Sequence, residues 1–303
     1  MKAFITGGTG FVGTYLTGRL LNLGWDVCIT GRSGRSIHRH HANLSVIACD
    51  TKIPGDWQAE IVNADVVINL AGKNIFTLWN DKNRREIEDS RILTTRNIVE
   101  AIPENSDILF ISTSAAGFYG SKKDTFLKED AGPGTGFFLA DLCKNWEHEA
   151  LQAEKKAARI VIMRFGMIIG NGGGALKMMT PPFRLFMGGS LGKGDNWVPW
   201  IHMEDLLSAI LFIIENDRIS GATNFCSPFT VTHKTLIKSV AQALGRPAFF
   251  TLPSFLVKAV MGDLGRELLS SQRMSPENLI VSGYNFKFAD IDYALMDLLD
   301  PSA

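Results

Sequence analysis

The residues best suited to chemistry stand at the start of the chain. Gly7, Gly10 and Gly13 give a G-x-x-G-x-x-G spacing between an apolar run at 3–6 and a helical pattern at 11–23. Glycine permits the tight turn and lets backbone approach a ligand closely. The N–H groups around Gly7, Thr9, Gly10, Phe11, Val12 and Gly13 then face an anion at the positive end of the helix. A pyrophosphate suits this strand–turn–helix setting, so the pattern predicts a dinucleotide site. The last glycine lets the helix pack close to the sheet.

The end of the second strand selects the dinucleotide. A carboxylate there would bind a ribose 2′-hydroxyl, but the chain reads Ile29-Thr-Gly-Arg32-Ser33-Gly-Arg35-Ser36. Arg32 can pair with a 2′-phosphate and stack on adenine, with Ser33 and Arg35 as helpers. The expected cofactor is NADP(H). Asp50, after the third strand, is either an adenine-side acceptor or a surface turn residue. Leu70, Ala71 and Gly72 close the fourth strand with mostly small residues, so the backbone can approach the cofactor there.

The elements that must position these residues alternate. Strand-like runs at 2–6, 26–30, 45–48, 66–70, 108–112 and 159–165 are almost continuously apolar, as in strands covered on both faces. Helical patterns lie between them at 11–23, 84–102 and 140–156. The expected fold is α/β, a Rossmann-type doubly wound parallel sheet, with ligands outside the C-terminal strand ends. Residues 1–170 are read as the NADP-binding domain, with 201–228 returning to it and 222–226 as a late strand. Residues 171–200 and 229–303 are read as a smaller, mostly helical substrate lobe, with helices at 232–244, 253–264, 276–282 and 290–299. The stretch 171–174 is expected to be a flexible connection.

Composition narrows the class. The chain has 303 residues, 46% of them hydrophobic, and a formal net charge of zero. That balance points to neither nucleic acid nor an anionic membrane as partner. Cys28, Cys49, Cys143 and Cys226 lack metal-ligand spacing and read as free thiols, so no metal site is expected and a reducing compartment is. Met1 leads straight into the first strand, and the longest apolar run, 206–214, is too short to span a bilayer. The expectation is a cytoplasmic protein with a small-molecule substrate.

Gly7–Gly13, Val67-Ile-Asn-Leu-Ala-Gly72, Ile111-Ser-Thr-Ser-Ala-Ala-Gly-Phe-Tyr-Gly120 and Trp200-Ile-His-Met-Glu-Asp-Leu206 together resemble the extended short-chain dehydrogenase/reductase superfamily. Asp89-Ser-Arg91, Thr94-Thr-Arg96, the 138–147 block, Gly172-Gly-Gly-Ala-Leu176 and Gln272-Arg-Met-Ser-Pro-Glu277 resemble its atypical, nucleoside-diphosphate-sugar epimerase-like branch, C-terminal extension included. The resemblance implies a catalytic Ser, and a Tyr-x-x-x-Lys pair on one helical face. Ser114 fits the serine, a strand-end hydroxyl bonding the backbone being its alternative role. Counting back from Glu147, which commonly follows the lysine by four residues, places Cys143 at the lysine and Leu139 at the tyrosine. The pair is therefore absent from that helix, the chain is read as having no Tyr-x-x-x-Lys elsewhere, and Lys144 is a poor substitute about 100° around the helix. Tyr119 is the expected replacement acid, packing being its alternative role.

Other candidates keep two readings each. Arg164 holds an anionic ligand or an internal ion pair. Arg91 faces the cleft or pairs with Glu88 or Asp89. His202 reads as structural. The resemblance implies that a homodimer can form through helices packed on the sheet edge, for which the helices at 84–102 and 140–156 are the candidates. The functional expectation is an NADP(H)-dependent oxidoreductase or epimerase-like enzyme acting on a small polar carbonyl or hydroxyl compound, nucleotide sugars among the candidates. Ser114 and Tyr119 would be its catalytic residues. The alternative is a cofactor-binding regulatory or assembly protein without hydride-transfer turnover.

Overall fold

The computed structural model describes residues 1–33, 38, 40–156 and 158–299. Strand β1 (Lys2–Thr6) runs through the glycine turn into α1 (Phe11–Asn22), followed by β2 (Asp26–Gly31), β3 (Leu44–Ala48), β4 (Val66–Asn69) and β5 (Leu109–Ala115). With β6 (Arg159–Phe165) and β7 (Gly221–Phe225) these form a seven-stranded sheet in the order β7-β6-β5-β4-β1-β2-β3. The pairs joining β1 to β2, β2 to β3, β1 to β4 and β4 to β5 are parallel. Strand order reverses beside β1, which makes the C-terminal end of β1 the switch point at which such sheets bind ligands.

The apolar runs form strands because both sheet faces are covered. Every residue of β4 is buried, as are the last four of β1. Phe4, Cys28, Val67 and Phe110 join Trp57, Ile61, Ile98 and Ile160 in one core cluster, with the rings of Phe4 and Trp57 stacked at 6.0 Å. Each large side chain so enclosed contributes about 1.5–3 kcal/mol of transfer free energy. The longer helices of this part are α2 (Asp81–Ala101) and α3 (Phe138–Leu151).

The chain divides into two compact units. One comprises Met1–Ser114, Leu142–Met163 and Leu211–Ala222; the other comprises Ala115–Asp141, Arg164–Ile210 and Thr223–Ala303. The second unit has its own core, in which Trp200, Phe183, Leu236, Phe288 and Leu295 meet. Its helices include α4 (Gly174–Arg184), most of α5 (Met203–Glu215), α6 (His233–Ala243), α7 (Ser254–Leu268), α8 (Glu277–Val281) and α9 (Ile291–Leu299). The last four match the expected tail helices closely, and Gly262, at φ 58°, breaks α7 where its sequence suggests punctuation.

Helix α4 begins at the end of the stretch read as a flexible connection. Pro181 and Pro182 sit near its C-terminal end, where they read as helix breakers in sequence. All four cysteines are free. Among the described residues, no helix is long and apolar enough to cross a membrane.

Candidate functional site

The C-terminal ends of β1 to β4 meet at a cavity of about 250 Å³. Of the residues expected to bind a cofactor, Gly7, Thr9, Gly10, Arg32, Asp50, Leu70, Ala71 and Gly72 line it. Phe11, Val12 and Gly13 form the first turn of α1, and Ser33 is exposed beside Arg32. Arg35 lies outside the described residues.

The turn is built for close backbone approach. Gly7 has φ +71°, and a Cβ there would stand 2.8 Å from the Leu70 carbonyl carbon. A Cβ on Gly13 would stand 2.3 Å from the Gly7 carbonyl oxygen. Gly13 is thus required by the turn itself, in addition to any packing on the sheet. Gly10 caps α1 without a side-chain hydrogen bond. The first-turn N–H groups therefore remain available to an anion. These features fit a dinucleotide pyrophosphate.

Charge around the cavity is mixed. Arg32 follows β2 with no carboxylate beside it in sequence, and Lys52, after the neighbouring β3, also lines the cavity and pairs with Asp50 at 3.4 Å. Asp50 also accepts the Lys52 N–H at 3.1 Å, so it acts in a local turn while lining the cavity. Lys73 pairs with Glu86 and donates to Asn83 Oδ1 at 2.8 Å. Sequence reasoning missed Thr51, Lys52, Lys73, Ser90 and Thr94 in the lining. Lys52 and Lys73 could have been found, because each stands within a few residues of a strand's C-terminal end.

A buried polar chain fixes the end of β4. Thr6 Oγ1 donates to Asn69 Oδ1 at 2.7 Å, and Asn69 Nδ2 donates to Thr95 Oγ1 at 2.8 Å. Trp146 Nε1 donates to the same Thr95 oxygen at 2.8 Å, and Thr95 gives its own proton to the Arg91 carbonyl at 2.7 Å. One donor and two lone pairs are all the hydroxyl has, and all are used. The motif residue Asn69 therefore holds the Leu70–Gly72 backbone in place rather than offering itself to a ligand.

Ser114 lies near the end of β5, fully enclosed, and donates to Glu147 Oε1 on α3 at 2.6 Å. Its partner is a buried carboxylate, not the backbone. Cys143 is buried one helical turn before Glu147, and Lys144 is exposed. Arg91 takes neither of its expected roles. Its Nη1 donates to the carbonyls of Lys73 and Ile87 at 3.1 and 3.0 Å, and its guanidinium lies 5.2 Å from the Trp146 ring centre.

Tyr119, expected as the replacement acid, has a different setting. It has no exposed surface; it donates to Asn224 Oδ1 at 2.7 Å and accepts from Arg164 Nη1 at 2.8 Å. Burial pushes its pKa up to about 12, against the opposing pull of the Arg164 charge. The hydroxyl is thus enclosed and hydrogen-bonded as both donor and acceptor, as its packing role requires. The spacing Tyr-x-x-x-Lys does occur here, at Tyr119 and Lys123, but on no helix. Tyr119 ends a short turn, and Gly120 and Lys123 have φ of 61° and 52°. The absence of the pair thus holds for α3 alone.

Arg164 is likewise internal. It donates to the Glu129 carbonyl at 2.9 Å and stacks 3.6 Å above the Phe118 ring. His202 is structural: buried, against the Phe288 ring at 3.9 Å, with Nδ1 accepting the Glu204 N–H at 3.1 Å.

Comparison with known proteins places this geometry. Residues 3–225 match the NAD dependent epimerase/dehydratase family, and residues 252–298 match a domain of unknown function, DUF1731. The epimerase family protein YfhF of Bacillus subtilis is 34% identical over 301 residues, covering 99% of this chain and 98% of its own. The mouse epimerase family protein SDR39U1 is 32% identical over 305 residues, covering 99% and 100%. A crystal structure of human SDR39U1 (isoform 2) with NADPH superposes with a TM-score of 0.86 at 29% identity, covering 99% of each chain.

Proposed function

The chain belongs to the NAD-dependent epimerase/dehydratase family, and from that premise we propose that it is an NADP(H)-binding, epimerase-like protein of the short-chain dehydrogenase/reductase type. The observation that carries the cofactor choice is Arg32. It stands at the cavity wall after β2, in the place where a carboxylate would select a free ribose 2′-hydroxyl. The human relative crystallised with NADPH supports the same choice.

The roles of this chain's residues follow from their positions. The turn at Gly7–Gly13 holds the pyrophosphate against the start of α1. Arg32, with Lys52 nearby, takes the 2′-phosphate. Leu70, Ala71 and Gly72 supply a backbone wall. When bound, the nicotinamide supplies hydride exchange with a carbonyl or hydroxyl carbon. For proton transfer the first unit offers Ser114 and Glu147, a hydroxyl and a carboxylate in direct hydrogen bond. The proposed substrate is a small polar carbonyl or hydroxyl compound, and nucleotide sugars are the first to screen.

A second reading is favoured by Leu139 and Cys143 on α3 together with the enclosed Tyr119. It is a cofactor-binding protein with a regulatory or assembly role and no hydride-transfer turnover.

Calorimetry with NADPH and NADH tests the cofactor. NADPH is expected to bind at least tenfold tighter, and Arg32→Ala to remove most of that preference. Unchanged NADPH affinity in Arg32→Ala would sink the 2′-phosphate assignment. NADPH oxidation over a carbonyl panel, in wild type and Glu147→Gln, separates the two readings. Turnover that Glu147→Gln abolishes supports the enzyme; no turnover with any compound supports the second reading.

A further inference from the structure

The formal net charge of zero hides a segregation of charge within the second unit. Residues 174–194 carry Lys177, Arg184 and Lys193, and residues 244–262 carry Arg246 and Lys258, with no Asp or Glu in either stretch. All of these cations are exposed. The fold joins the two stretches. The strand Phe250–Leu252 pairs in parallel with Gly189–Leu191, and the Gly192 N–H donates to the Leu252 carbonyl at 2.8 Å. The Arg246 guanidinium lies 4.6 Å from the Phe186 ring centre.

The same two stretches expose large apolar side chains. Leu185, Phe186 and Met187 follow α4, Phe249 and Phe250 lead into the paired strand, and Phe255 stands in the first turn of α7. All are more than half exposed, Phe249 at 85% and Phe255 at 69%. The first half of α7 reverses the pattern of a helix facing water. Phe255 and Ala259, like Leu256 and Val260, stand four apart on its exposed side, while Val257 is buried. Monomeric proteins rarely leave such a cluster open unless something binds it.

Charge decides among the occupants. A second copy of this chain is a poor one, because a two-fold interface sets like surfaces together and would face these cations with themselves. Single-stranded nucleic acid could stack on the rings, but it offers no partner to Leu185, Met187 and Val260. An anionic bilayer surface uses both kinds of side chain. Its headgroups attract Lys and Arg, and the aliphatic and aromatic groups enter the boundary between headgroups and acyl chains. We infer that this face of the second unit is a docking surface for an anionic lipid membrane, on which the protein lies without spanning it. The inference is independent of the NADP(H) reading of the first unit.

The test is sedimentation of the full chain with vesicles of phosphatidylcholine alone and of equal parts phosphatidylcholine and phosphatidylserine. Binding to the anionic vesicles is expected to be roughly tenfold tighter or more, and to weaken as salt is raised. Two double variants probe the face: Phe249→Ser with Phe255→Ser, and Lys177→Glu with Lys258→Glu. Each is expected to lower anionic-vesicle affinity roughly tenfold or more, with NADPH affinity unchanged. Lys144→Glu with Lys155→Glu makes the same charge change at exposed sites of the first unit, and should leave vesicle binding within about twofold. Where the serine variant lowers Tm, the glutamate variant decides, since it alters exposed side chains alone. No binding to anionic vesicles, or equal binding to both kinds, overturns the inference. Wild-type affinity in the glutamate variant also overturns it, as does an equal loss in the first-unit control, because net charge alone would then carry the binding. Retention of a single-stranded oligonucleotide without vesicle binding, lost in the same variants, would assign the face to nucleic acid and overturn it too.

Discussion

Ser114 Oγ gives its proton to Glu147 Oε1 at 2.6 Å, and both side chains are buried. The bond ties the end of β5 to α3 and commits the serine hydrogen to a carboxylate. Ser114→Ala leaves that carboxylate one donor short in a poorly solvated place, which costs about 1–3 kcal/mol of stability. Urea denaturation of the variant measures it. NADPH affinity is expected to stay within about twofold, because Ser114 does not line the cavity.

Gly7→Ala should damage both fold and site. At φ +71° an alanine costs about 1–2 kcal/mol in backbone strain alone. Its methyl would also meet the Leu70 carbonyl at 2.8 Å and push the end of β4 outward. The expected result is a lower Tm and NADPH binding weakened more than tenfold. Gly24→Ala is the control: Gly24 has φ +78°, but a Cβ there has nothing within 4 Å. It should show the strain without the loss of binding.

Tyr119→Phe separates a packing role from a catalytic one. The hydroxyl's bonds to Asn224 and Arg164 are lost, at about 1–3 kcal/mol. Thermal denaturation should show a Tm lower by several degrees, at about 2–4 °C per kcal/mol. NADPH affinity and any turnover measured per folded molecule should be unchanged. Turnover abolished with Tm intact would return Tyr119 to the role of acid.

Burial lowers the His233 pKa, and its Nδ1 has no hydrogen-bond partner among the described residues. The folded protein therefore resists protonating it more than the unfolded chain does. By linkage, this contribution to stability is full above the unfolded pKa and is lost as pH falls from about 6.5 through the lower folded value. Wild-type Tm should drop between pH 7 and pH 5, and His233→Asn should flatten that drop. An identical acid limb in the variant would show that other groups carry it.

Much of the fold was legible because its signals are local. The β1–α1 glycine spacing, the apolar runs of β1 to β6 and the tail helices each follow from short-range patterning, and the observed bounds differ from the expected ones by a few residues. Helix α4 was hidden because Pro181 and Pro182 argue against a helix that the packing of Leu176 and Phe183 sustains. Lys52 and Lys73 were within reach, since each stands close after a strand; Ser90 and Thr94 were not, since they reach the cavity from α2.

The sequence by itself determined where the backbone must turn tightly, which strands are covered on both faces, and that no carboxylate ends β2. These depend on residue type and neighbours a few positions away. Only the tertiary structure decided what each long polar side chain does. Tyr119 meets Asn224 across 105 positions, Ser114 meets Glu147 across 33, and Arg91 reaches the carbonyl of Lys73 across 18. A hydroxyl or guanidinium has several possible partners, and desolvation makes the choice among them costly to get wrong. That choice depends on which atoms the folded chain brings within about 3 Å, a distance no sequence spacing specifies.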